Sequence, residues 1–305
     1  MHSRLFVAAF VTGLTAVVAS QDQAPSFLGS SSELVVLPVV VLDKRGGGFV
    51  SALDRDRFTV YDNGRRQDVL LFTSEDTPVT IGLVIDNSGS MRPKMPEVIA
   101  GTLALARSSR PDDEVFTVAF NDAVVEAGSH QSVTAGDSEP LESTLRSMAP
   151  QGRTALYDAL LVSLDRVEHH TQARKALVVI SDGGDNASRA TLNEVLARAR
   201  RSNVVIFTIG LFDEEDPDRN PGVLKSLAES TGGTRFLPRS PGLLLQACTR
   251  IARELRSGYT IGFVPPDRDG AFHRIRVDVQ SGNGGKFSVR TRPGYFAAST
   301  LPPRP

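Results

Sequence analysis

The chain has 305 residues, room for roughly one to three domains. Its 34 Lys and Arg against 35 Asp and Glu leave a formal net charge of −1, so no overall field draws it to nucleic acid or an anionic membrane. A single cysteine, Cys248, excludes an internal disulfide, and the fold must be held by packing or bound ions.

The N-terminal "MHSRLFVAAFVTGLTAVVASQDQ" joins a basic start at Arg4, an apolar stretch over 5–19 and small residues around Ala19. These are the three parts of a secretory signal peptide over 1–20, with cleavage expected after Ser20. The apolar stretch is shorter than the ~18 residues of a membrane span. No later run suits a span either, since "LVVLPVVVL" is short and contains Pro38. Residues 21–32 are small and polar and read as a flexible leader. Over 33–76 the pattern is β: "LVVLPVVVLD", a Gly turn at 46–48, then "FTVYDNGRRQDVLLFTSE". In the last piece Asn63-Gly64 lies between two β-rich runs, which predicts a type I′ hairpin.

From Val79 the period changes. "VTIGLVID" is nearly all apolar, as a strand covered on both faces would be, and "PEVIAGTLALARSSR" has helical spacing. Strand "EVFTVAF", a short edge-like "AVVEA", a helix from about Ser138, helix "ALYDALLVSLDRVEHH", strand "KALVVIS", helix "TLNEVLARARR", strand "NVVIFTIG", helix "GVLKSLAEST", a short strand near Arg235 and helix "GLLLQACTRIARELR" follow in turn. Such alternation predicts an α/β domain over 79–257, a doubly wound, mostly parallel sheet. Cys248 lies in the apolar face of the last helix and reads as a buried, inert thiol. Residues 258–298 return to β, and the Pro-rich 299–305 reads as a disordered tail. Two β segments bracketing the α/β domain predict one small β unit built from both ends of the chain.

In a doubly wound sheet, ligands bind where the carboxyl ends of the strands meet. After the first strand, "DNSGS" offers Asp86, Ser88 and Ser90. After "KALVVIS" comes Asp182 of "DGGDN", and "QGRTALYDAL" puts Thr154 at the mouth of a helix. Two carboxylates and three hydroxyls make an all-oxygen donor set, suited to Mg²⁺, Mn²⁺ or Ca²⁺ rather than zinc. Two carboxylates roughly cancel a divalent charge, so the ion would stay electrophilic and could take a carboxylate from a partner protein. The bland alternative for "DNSGS" is an Asx-type turn capping the next helix.

In order and spacing these residues resemble the metal-ion-dependent adhesion site of von Willebrand factor type A domains, including integrin I domains. The resemblance spans 79–256, and all five positions are filled. It implies that Ser88, Ser90 and Thr154 ligate the metal, and that Asp86 and Asp182 bind it directly or through water. The flanking β segments look like those of bacterial exported proteins with this domain. The family supplies a fold and a binding mode but no reaction. The chain is therefore expected to be an exported, non-enzymatic binding module, periplasmic, cell-surface or secreted, that engages a carboxylate on a partner protein. The alternative is an assembly component of the cell envelope in which the metal only stabilises the fold.

Enzymatic readings fare worse. "VIDNSGS" and "VISDGGD" resemble the paired Asp turns of aspartic proteases, but helices separate them here, whereas that fold is nearly all β. No Gly-rich phosphate loop ending in Lys-Ser or Lys-Thr is present. His130, His169, His170 and His273 have no metal-ligand spacing. Asp158 and Asp165 read as solvated or helix-satisfying, and the acidic "FDEEDPDRNPG" over 212–222 as a solvated loop or, alternatively, a rim that selects basic partners or binds Ca²⁺.

Overall fold

A computed structural model describes residues 34–74, 76–127, 132–212, 219–281 and 285–299. The expected signal peptide and leader, residues 213–218 of the acidic stretch, His130, and the tail beyond Ser299 lie outside the described residues. The N-terminal β segment holds β1 (Val35–Asp43), β2 (Phe58–Asp62), β3 (Arg65–Gln67) and β4 (Leu71–Thr73). Asn63 and Gly64 join β2 to β3 with φ of 46° and 82°, the paired positive values a type I′ turn requires.

The α/β portion runs β5 (Val79–Asp86), α1 (Met95–Arg107), β6 (Glu114–Phe120), β7 (Val124–Ala127), β8 (Val133–Thr134), α2 (Glu139–Arg146), α3 (Leu156–Glu168), β9 (Arg174–Ser181), α4 (Leu192–Arg201), β10 (Val204–Gly210), α5 (Pro221–Thr231), β11 (Arg235–Phe236) and α6 (Pro241–Ser257). The sheet order is β11-β10-β9-β5-β6-β7, with β8 also on β6. All pairings are parallel except those of β7 and β8 with β6. Every residue of β5 is buried, because Ile81, Leu83 and Ile85 pack under α1, α2 and α6 while Val84 packs under α3, α4 and α5. Both faces are covered, which explains the unbroken apolar run. Cys248 sits in the first of these layers, fully buried, and burial pushes its thiol up to about 12. No helix among the described residues is long and apolar enough to cross a membrane.

After α6, Gly258 leads directly into β12 (Tyr259–Phe263), followed by β13 (Phe272–Val279), β14 (Phe287–Arg290) and β15 (Gly294–Phe296). Two antiparallel sheets, β14-β1-β12-β4 and β15-β13-β2-β3, each mix strands from both ends of the chain. Their shared core includes Leu37, Val39, Phe58, Tyr259, Phe263 and Val277. Pro38 is tolerated inside β1 because the strand changes partner: Val35 to Val39 pair with β12, and Val40 to Asp43 with β14. At Pro38 one side of the backbone has no ladder to break.

Candidate metal centre

The chain goes from β5 outward to β6 and returns on the other side to β9, so the loops after β5 and β9 diverge above the centre of the sheet. This is the switch point where α/β sheets open a crevice. Asp86 ends β5 and Ser181 ends β9, with Ile85 level with Ile180 across the parallel pair. Asp86 and Asp182 are both buried.

Three of the sequence-predicted residues touch: Ser90 Oγ donates to Asp182 Oδ2 at 3.0 Å and lies 3.2 Å from Ser88 Oγ. Asp86 Oδ1 accepts the Ser88 N–H at 2.9 Å, and its Oδ2 accepts the Ser181 hydroxyl at 2.7 Å. Asp182 Oδ1 accepts the Gly184 N–H at 3.0 Å. Thr154 joins through its loop. Its N–H donates to Asn186 Oδ1 at 2.9 Å, and its carbonyl accepts from the Asn186 and Ala187 N–H groups. On the other side Gly89 N–H donates to the Gly152 carbonyl and Gln151 N–H to that of Asn87. The three loops are thus hydrogen-bonded to one another. Thr154 itself is buried beside them.

The Asx-turn reading of "DNSGS" holds in part, since the bond from Ser88 N–H to Asp86 Oδ1 closes such a turn. Its capping half does not: neither the 3-10 turn Gly89–Lys94, which the periodicity did not suggest, nor α1 behind it has a side-chain N-cap bond. The Ser88 and Ser90 hydroxyls bond among the crevice oxygens instead.

Ser181, Asn186 and Asp185 were not singled out from the sequence. Asp185 accepts the Tyr157 N–H at the start of α3 and the Ser188 hydroxyl, fixing the helix that follows Thr154. One available signal was Ser181 itself, a hydroxyl ending an otherwise apolar run beside Asp182. Asp158 accepts the Arg189 and Ala190 N–H groups ahead of α4, and Asp165 pairs with Arg198, so neither belongs to the site.

The electrostatics favour a cation. Among the described residues no Lys, Arg or His pairs with Asp86 or Asp182; Lys94 reaches the Leu211 carbonyl, Arg92 that of Pro150, and Arg153 pairs with Asp122. Burial pushes the Asp86 carboxyl up to about 6 and Asp182 adds to the rise, against hydrogen bonding from Ser88 and Ser181. Two buried carboxylates without a countercharge, ringed by hydroxyls, form a donor set that fits a hard divalent ion. No three His, Cys, Asp or Glu side chains cluster as a metal site among the described residues, so a metal here depends on the hydroxyls.

The model of the von Willebrand factor type A domain matches residues 80–245. Among solved structures, a von Willebrand factor type A protein from Catenulispora acidiphila is similar to the chain with a TM-score of 0.53 at 15% identity, covering 89% of this chain and 76% of that one. Proximal thread matrix protein 1 from the mussel byssus gives 0.50 at 15% identity, over 69% of this chain and 51% of that one. At these identities the likeness bears on the fold alone. No curated protein matches the chain.

Proposed function

The chain belongs to the von Willebrand factor type A domain family, and from that premise we propose that it is an exported, non-enzymatic module that binds a partner protein through a divalent cation, Mg²⁺ or alternatively Mn²⁺ or Ca²⁺. The observation that carries this reading is the contact of Ser88, Ser90 and Asp182 beside buried Asp86, with no cationic side chain paired to either carboxylate among the described residues. Ser88, Ser90 and Thr154 would offer hydroxyl oxygens to the ion, and Asp86 and Asp182 their carboxylates, directly or through water. A bound divalent ion supplies an electrophilic centre that an outside carboxylate can complete. The protein's part is to hold five oxygens on three mutually bonded loops, so that little ordering remains to be done on binding.

Near-neutral charge at the loaded site favours an Asp or Glu of the partner over a neutral side chain. The test is capture of partners from the exported proteins of the source organism, with and without EDTA, followed by replacement of each acidic residue on the partner's interface. The expected result is EDTA-sensitive binding that collapses when one particular Asp or Glu is changed. A complex that survives EDTA and every such replacement contradicts the reading. The second reading, an assembly component of the envelope with a purely stabilising ion, rests on the burial of the two carboxylates. Both readings let EDTA lower the melting temperature, since an ion held by the folded chain stabilises it; the second predicts that partner binding by the folded, ion-free chain persists, and the binding role predicts that it is lost.

A further inference from the structure

Outside the crevice, a cavity of about 90 Å³ is lined by Arg200, Arg201, Arg268 and Arg292, together with Tyr295 and Phe296. Arg200 and Arg201 are the last two residues of α4, and Arg292 lies between β14 and β15. None of Arg200, Arg201 and Arg292 forms an ion pair with a described carboxylate. Nearby carboxylates are engaged elsewhere: Asp267 pairs with Arg65, Asp269 with His273, and Asp62 accepts from both His273 and the Tyr295 hydroxyl.

Arg292 is buried, and among the described residues its guanidinium donates only to neutral acceptors, the carbonyls of Gly294, Ser202 and Arg200 and the Asn203 Oδ1. A buried charge in a protein normally has an opposite charge beside it, because desolvation is otherwise uncompensated. Burial alone draws the Arg292 pKa down to about 10, which still leaves it charged at neutral pH. Arg292 also covers carbonyls at the C-terminal end of α4, the groups whose partial negative charge would repel an anion. The Arg200 Nε is buried and has no hydrogen-bond partner among the described residues, so this guanidinium too is incompletely satisfied. The guanidinium of Arg201 stands 4.9 Å from the centre of the Phe296 ring and that of Arg200 5.9 Å from Phe272, so aromatic faces hold both in place.

The structure assigns this cavity to a small oxyanion, a phosphate or phosphomonoester group held by Arg200 and Arg201 over the fixed charge of Arg292. Guanidinium forks match tetrahedral oxyanions, and the volume suits one such group.

The test is a calorimetric titration of inorganic phosphate into the full chain in EDTA, at constant ionic strength against chloride, so that its outcome is independent of the metal site. One saturable site is expected, weakened about tenfold by Arg200→Gln and by Arg201→Gln, as the loss of one charge-assisted contact implies. Both positions lie at the surface end of a helix, and circular dichroism checks that each variant is folded. Glycerol 3-phosphate is run as a competitor: competition at similar affinity indicates a phosphoryl group carried by a larger molecule, and competition only by inorganic phosphate indicates the free anion, the oxyanion site standing in both cases. Phosphate heats no greater than those of chloride, or unchanged affinity in both variants, overturn the assignment.

Discussion

At Gly183, just past Asp182, φ is +79°, and a Cβ built there would meet the Asn220 backbone oxygen at 2.4 Å. Only glycine turns the chain this way without displacing the start of α5. Gly183→Ala should therefore cost about 1–3 kcal/mol or more in urea unfolding; a loss within ~0.5 kcal/mol, the range of neutral surface changes, would show that the turn relaxes freely. A second residue-scale prediction concerns His273, buried with its Nδ1 2.8 Å from Asp62 Oδ1. Burial works to lower its pKa, but bonding and charge from Asp62, with Asp269 behind it, outweigh that and raise it above the ordinary 6.5. A raised folded pKa means that the charged pair stabilises fully below the unfolded value and that this contribution is lost as pH climbs through the folded one. Unfolding free energy should fall with pH above about 6.5, and His273→Gln should flatten that slope. Equal slopes in the two proteins would contradict it. At this scale the sequence exposed Asp86, Ser88, Ser90 and Asp182, because their spacing carries the pattern within each loop. It hid the supports: Ser181 meets Asp86 across 95 positions and Asn186 meets Thr154 across 32, contacts that exist only once the sheet has brought the loops together.

Among the elements, those with a strong period were legible. The doubly covered β5 and the Asn63-Gly64 hairpin follow from residue type alone, whereas β8 is two residues long and its pairing with β6 is set by the sheet and not by its own composition. The mixing of strands from the two ends was legible only as an order of segments. Its physical basis is the position of β1 between β12 and β14, and of β2 beside β13. The Phe58 and Tyr259 rings, 4.8 Å apart, join the two segments, and the Tyr259 hydroxyl donates to the Val50 carbonyl at 2.8 Å. Neither segment can complete a sheet alone, and isolated hairpins are marginal in water. Deletion of residues 33–76 should leave 258–298 open to rapid limited proteolysis, and the reciprocal deletion should expose 33–76. A remaining segment that resists protease in either variant would show two independent modules.

Across the whole molecule the net charge of −1 says nothing of function, and the local arrangement says a good deal. A near-neutral chain keeps two carboxylates buried at the switch point of its central sheet and leaves them without a basic partner among the described residues. Such a centre has uncompensated negative charge built into its core, and a divalent ion is the simplest group that balances it. The most direct measurement is a calorimetric titration of Mg²⁺ or Mn²⁺ into the EDTA-treated and dialysed protein, beside the Asp182→Ala variant. One ion per chain for the wild type and no measurable binding for the variant is the predicted result; equal affinity in the two proteins, or none in either, contradicts the metal centre.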